Sequence, residues 1–197
     1  MAKEKALIIV DMQNDFSPGG KLAVPGADKI IPVLNAYIKA FSSAQMPVLA
    51  SRDWHPKRTE HFNEYGGDWP QHCVRNTKGA MFHPELELPE DAIIISKGMD
   101  PAKDSYSAFL GEDKAGRSLV DVLEDLSVEE VFVGGVATDH CIRHTVIDAL
   151  KEGYRTYLLT DAEKGVEEQS SREAIEEMFS SGAQGLTFAE LAGKLQR

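Results

Sequence analysis

Five short apolar runs punctuate the chain, at residues 6–10, 47–51, 92–96, 130–134 and 156–159. They are rich in branched side chains and show little alternation with polar residues. This pattern predicts strands buried on both faces, as in a parallel sheet. Between the runs, apolar residues recur at helical spacing. Ile30, Leu34, Ile38 and Phe41 form one such stripe; Ile142, Val146, Ala149 and Leu150 form another, which stops at Gly153. Further helices are expected over 118–126, 169–180 and 189–195, with a sixth, edge strand at 186–188. Strands alternating with helices predict an α/β fold, a three-layer α/β/α sandwich around a mainly parallel sheet of about six strands. No repeat or linker divides the 197 residues, so a single domain over 1–197 is expected.

One stretch departs from this pattern. Residues 52–89 hold four of the six histidines, both tryptophans and repeated Gly and Pro, with little periodicity. A loop this long inside a compact domain is usually functional.

Composition narrows the partners. A net charge of −11 without clustered Lys and Arg argues against a nucleic-acid surface. No apolar run approaches the roughly 20 residues that span a bilayer. The N-terminus lacks a recognisable export signal, so the cytoplasm is the expected location. There the two cysteines, Cys73 and Cys141, would stay thiols. The oligomeric state, monomer or homo-oligomer, is left open.

In open parallel sheets, ligands bind beyond the carboxyl ends of the strands. Asp11 follows the first predicted strand, Asp53 the second and Lys97 the third, while Cys141 opens the helix after the fourth. At a helix start, free N–H groups, the helix dipole and a nearby lysine would favour a thiolate, which makes Cys141 the candidate nucleophile. Asp11, desolvated at the mouth of an apolar strand, suits a general base. Lys97 leaves an otherwise hydrophobic strand and needs an acid such as Asp11 as partner. Cys73 lacks a strand-to-helix turn and is expected to pack structurally. Asp53, His55, His61 and His72 form a donor set for Zn²⁺ or Fe²⁺ with open positions, and Glu64 competes with His61. His83 and His144 read as surface or packed residues, and residues 163–168 as a solvated helix entrance.

Five ordered motifs, from residues 9–16, 53–56, 69–73, 97–98 and 135–141, resemble the nicotinamidases (pyrazinamidases) of the isochorismatase-like hydrolases. The resemblance runs from Ala6 to about Thr160. It implies a catalytic triad of Asp11, Lys97 and Cys141 and a metal bound by Asp53, His55 and His72, with His61 or Glu64 as a further ligand. It implies a cis peptide between Val136 and Ala137, and an oxyanion hole from the N–H groups of Ala137 and Cys141. Phe16, Trp69 and Val136 would contact substrate, with Tyr106 closing the pocket. The implied activity is hydrolysis of nicotinamide, and of pyrazinamide, in pyridine nucleotide salvage, with one divalent ion, Zn²⁺ ahead of Fe²⁺ or Mn²⁺. The alternatives are another amide hydrolase or an isochorismatase-type enzyme on this fold, or a non-catalytic binding relative.

Overall fold

The computed structural model describes residues 4–195. Its strands are β1 (Glu4–Val10), β2 (Val48–Asp53), β3 (Ile93–Lys97), β4 (Val128–Val136), β5 (Arg155–Lys164) and β6 (Gln184–Leu186). They form one sheet in the order β3-β2-β1-β4-β5-β6, and every neighbouring pair is parallel. The helices are α1 (Ile31–Ser43), α2 (Leu119–Asp125), α3 (Arg143–Lys151), α4 (Glu168–Ser180) and α5 (Phe188–Leu195).

The period-2 geometry of β1 divides the core. Leu7 and Ile9 face one way and pack with Leu34, Tyr37 and Phe41 of α1 and Leu191 of α5. Ala6, Ile8 and Val10 face the other way, onto Leu119 and Val122 of α2, Val146 and Ala149 of α3, and Met178 of α4. The expected three layers follow, with β1 buried on both faces. Each fully buried Leu, Ile or Phe contributes about 1.5–3 kcal/mol, which is enough to fix the layer order.

Two predicted elements are displaced. The sixth strand ends at Leu186, and Phe188 instead opens α5, where its ring meets that of Tyr37 edge-on at 5.1 Å. Residues 163–164 belong to β5 rather than to a solvated helix entrance, and the half-buried Glu163 accepts a hydrogen bond from the Thr138 hydroxyl.

The sheet sets up the site. Strand order reverses direction between β1 and β4, the switch point where such sheets bind ligands. Val10 lies opposite Gly135, whose φ of 127° and close approach to the Val10 backbone exclude a side chain. On the other side of β1, Asp53 and Lys97 are register partners at the ends of β2 and β3. Four strand ends therefore deliver Asp11, Asp53, Lys97 and the Cys141 turn to one edge.

Candidate active site

Asp11 directly follows β1 with φ 52°, a left-handed conformation that costs an L-residue about 1–2 kcal/mol and that Asp tolerates better than most. The turn aims its carboxylate across the strand ends. Oδ1 accepts a hydrogen bond from Ser51 Oγ at 2.7 Å, and Oδ2 lies 2.8 Å from Lys97 Nζ. A carboxylate oxygen has two lone pairs, so Oδ2 can take a proton while it stays paired with Lys97.

Lys97 is fully buried, and its ammonium is the hub of the cluster. It donates to Asp53 Oδ1 at 2.5 Å, pairs with Asp11 and reaches Cys141 Sγ at 3.5 Å. Burial would drive an ammonium neutral. The Asp11 and Asp53 carboxylates, with Cys141, outweigh burial and hold Lys97 well above the usual lysine range. For Asp11 the balance reverses: burial, helped by the charge of Asp53, outweighs Lys97 and pushes its carboxyl up.

Cys141 sits in a single π-helical turn, Thr138–Ile142, which leads into α3. Burial outweighs the nearby ammonium, and Asp11 and Asp53 add to it, so the thiol is pushed well above the usual cysteine range. A proton acceptor stands beside the sulfur: ligand atoms of Asp11, Asp53 and Cys141 lie within 4.8 Å of one another. The Val136–Ala137 peptide before the turn is cis, as the resemblance implied.

The second group is a shelf of histidines. Donor atoms of His55, His61 and His72 lie within 4.8 Å of one another. Each ring is turned the same way. His55 Nδ1 donates to the Gly98 carbonyl at 2.9 Å, His72 Nδ1 to the Pro70 carbonyl at 2.7 Å, and His61 Nδ1 to the Asp104 carboxylate. With Nδ1 protonated, each neutral ring has its lone pair on Nε2, the arrangement of metal-ligating histidines. Gly98 makes this possible, since a Cβ at its φ of 67° would strike the His55 ring. His55 Nε2 is buried without a hydrogen-bond partner. Asp53 Oδ2 faces it at 3.7 Å and His72 Nε2 at 3.8 Å. Burial alone would raise the Asp53 carboxyl, but opposing charge, the Lys97 ammonium first, holds it well below the usual range. Three aligned lone pairs beside a carboxylate fit a divalent cation. Glu64 is exposed on a short turn, Asn63–Tyr65, outside this cluster, whereas His61 lies within it.

Phe16, Trp69, Tyr106, Val136 and Ala137 line one pocket, into which Asp53, His61, His72 and Cys141 also project. Trp69 Nε1 donates to the Tyr106 hydroxyl at 2.9 Å, tying two walls together. Cys73 lies elsewhere, wholly buried in the core with its thiol pushed well up by burial. His144 stacks on Tyr106 at 5.2 Å, and His83 accepts a bond from the Glu85 backbone.

Sequence reasoning missed several contributors. Gln13 accepts from Asp53 N and donates to Asp53 O, each at 2.8 Å, which fixes that strand end. Asp104 orients His61. His140 meets Trp69 edge-on at 5.1 Å and lines the pocket with Leu22, Val24, Ser105 and Val166. Of these, Gln13 and His140 carried a visible signal, their places inside the motifs 9–16 and 135–141.

A model of the isochorismatase domain matches residues 5–190. The chain belongs to the isochorismatase family. Within that family it is similar to a nicotinamidase of Escherichia coli (strain K12), with 40% identity over 204 aligned positions that cover 94% of this chain and 96% of the relative. The crystal structure of a pyrazinamidase of Pyrococcus horikoshii in complex with zinc superposes with a TM-score of 0.88 at 49% identity, covering 94% of this chain and 99% of that one. A protein of L. infantum in complex with nicotinate gives a TM-score of 0.83 at 34% identity, with 96% of each chain covered. No helix among the described residues is long and apolar enough to cross a membrane.

Proposed function

We propose that this isochorismatase-family chain is an amidohydrolase that converts nicotinamide, and also pyrazinamide, to the carboxylate and ammonia through a Cys141 thioester. One observation carries the reading: a buried lysine joins an acid, a thiol and the carboxylate of a histidine shelf beside an aromatic slot. Phe16, Trp69 and Cys141 line the same pocket, so we place a small planar carboxamide against the two rings with its reactive carbon at Cys141. The relatives described above, one named a nicotinamidase and one crystallised with nicotinate, support that choice of substrate.

Asp11 takes the Cys141 proton on Oδ2 as sulfur attacks the carboxamide carbon, and the Lys97 charge favours the sulfur as it becomes negative. The carbonyl π bond opens, and the oxygen accepts from the N–H groups of Ala137 and Cys141. Asp11 returns the proton to nitrogen, the C–N bond breaks and ammonia leaves. A water molecule then gives its proton to Asp11 and its oxygen to the thioester carbon. The C–S bond breaks and the proton returns to sulfur.

Asp53, His55, His61 and His72 would hold one divalent ion. We assign zinc on the imidazole and carboxylate donors and on the zinc-bound relative; Fe²⁺ and Mn²⁺ suit the same donors. Such an ion supplies a Lewis-acidic charge that fixes a polar atom of substrate or water in the pocket. We read residues 1–197 as a single hydrolase domain, with 52–89 as its metal-binding loop. Catalysis needs Cys141 as a free thiol, a state that a reducing compartment such as the cytoplasm preserves.

Acid quenching during the first turnover of nicotinamide, followed by mass analysis of peptides, tests the chemistry. A nicotinoyl group on the Cys141 peptide is expected. Complete turnover with no adduct, together with an active Cys141→Ala variant, would refute it.

A further inference from the structure

The turn that carries Cys141 is tied down by a residue to which the mechanism above gives no part. Asp139 is buried, and its carboxylate reaches across to the β5–α4 connection. Oδ1 accepts from Val166 N at 3.0 Å, and Oδ2 accepts from Glu167 N at 3.2 Å and Ser170 Oγ at 2.6 Å. These donors flank the start of α4, where the positive end of the helix dipole favours an anion. Glu167, the local cap residue, makes no side-chain capping bond, and the Asp139 carboxylate instead holds the two residues that lead into α4 and the Ser170 hydroxyl of its first turn. The fit is tight: a Cβ on Gly165 would run into Ser171 Oγ and approach Asp139 Oδ1 to 3.1 Å. A second tie runs parallel, from Thr138 to Glu163. Val166, held through its N–H, lines the same pocket as Cys141.

We propose that Asp139 is a positioning residue whose carboxylate clips the Cys141 turn to the Val166 loop, so that the nucleophile and one pocket wall move as a unit. The inference rests on Cys141 being the nucleophile. Burial would raise the Asp139 carboxyl, but the bonds from Ser170, Val166 and Glu167 hold it below the usual range, so the clip is charged at neutral pH. Asparagine keeps one acceptor and loses the other. The expected ladder is therefore alanine worst, asparagine intermediate and Ser170→Ala mildest.

The test uses zinc-loaded full-length protein carrying Asp139→Asn, Asp139→Ala or Ser170→Ala. Asp139→Asn is expected to lower kcat about ten- to a hundredfold, the scale on which small misplacements of reacting groups act, with zinc content equal to wild type. Iodoacetamide labelling of Cys141 without substrate should change by at least about threefold in the same variant, since labelling reads thiol access and orientation directly. Ser170→Ala should move both readouts in the same direction and by less. If Asp139→Ala does not fold, Asp139→Asn and Ser170→Ala carry the test. A merely structural role leaves kcat per zinc-loaded molecule and the labelling rate within twofold of wild type, and that result overturns the clip. Absence of amide hydrolysis by the wild-type protein would instead refute the proposed function, while the labelling ladder still decides whether the clip exists.

Discussion

The two halves of the pocket floor solve opposite electrostatic problems. In the thiol half, the ammonium of Lys97 stands among Asp11, Asp53 and Cys141, so the protein supplies its own cation. In the histidine half, the Nδ1–H groups of His55, His61 and His72 are committed and their Nε2 lone pairs converge with none. One half is complete from the chain alone, and the other is shaped for a cation the chain does not provide. Asp53 joins them, giving Oδ1 to Lys97 and facing the imidazoles with Oδ2. In the proposed reaction the chemistry of bond breaking belongs to the first half and the placement of a polar ligand to the second, and substitutions should separate the two.

Cys141→Ala breaks the first half alone. Turnover of nicotinamide should fall by at least about 10⁴-fold, as loss of a nucleophile does elsewhere, while zinc content measured by atomic emission stays at the wild-type level. His72→Ala breaks the second half. Zinc affinity, read by competition with a chromogenic chelator, should fall by at least about 100-fold, while iodoacetamide still labels Cys141. If His72→Ala retained full affinity, the ligand assignment would fail. Asp104→Asn probes the support of that half, because the half-exposed Asp104 orients His61 without joining the cluster. A loss of about tenfold in zinc affinity is expected, with kcat of the zinc-saturated protein little changed.

The smallest effect concerns proton transfer. Asp11 must be ionised to accept a proton, and its carboxyl is raised above the ordinary 3.8, so kcat/KM should be lost as pH falls through that raised value. Ser51 donates to Asp11 Oδ1 and favours its charged form. Ser51→Ala should therefore move the acid limb of a zinc-saturated profile to higher pH. A limb that stays in place, or moves down, would remove Asp11 from the role of base.

Much of this arrangement was legible along the chain because buried parallel strands leave an unmistakable apolar signature, and four polar residues stood at their ends. What was lost follows from the same physics. The strand β5 runs on through Glu163 because Thr138 satisfies that carboxylate, a contact 25 residues away in sequence and invisible to periodicity. The edge strand β6 slid because Leu186 and Phe188 are both apolar, and only packing against Tyr37 shows that the latter begins a helix. Asp104 lies in a polar segment with no pattern to mark it. The environment of Cys141 was legible only in part for a related reason: a helix start and a lysine can be seen in sequence, but the burial that pushes the thiol up cannot.

The central claim is that both halves of the pocket serve one amide hydrolysis. Ammonia release from nicotinamide should be measured on the purified protein as isolated, after chelation, and after zinc is restored, with Cys141→Ala in parallel. The wild type should release ammonia, lose that activity on chelation and regain it with zinc, and Cys141→Ala should stay silent throughout. Ammonia release that survives complete chelation, or that persists in Cys141→Ala, would contradict the account.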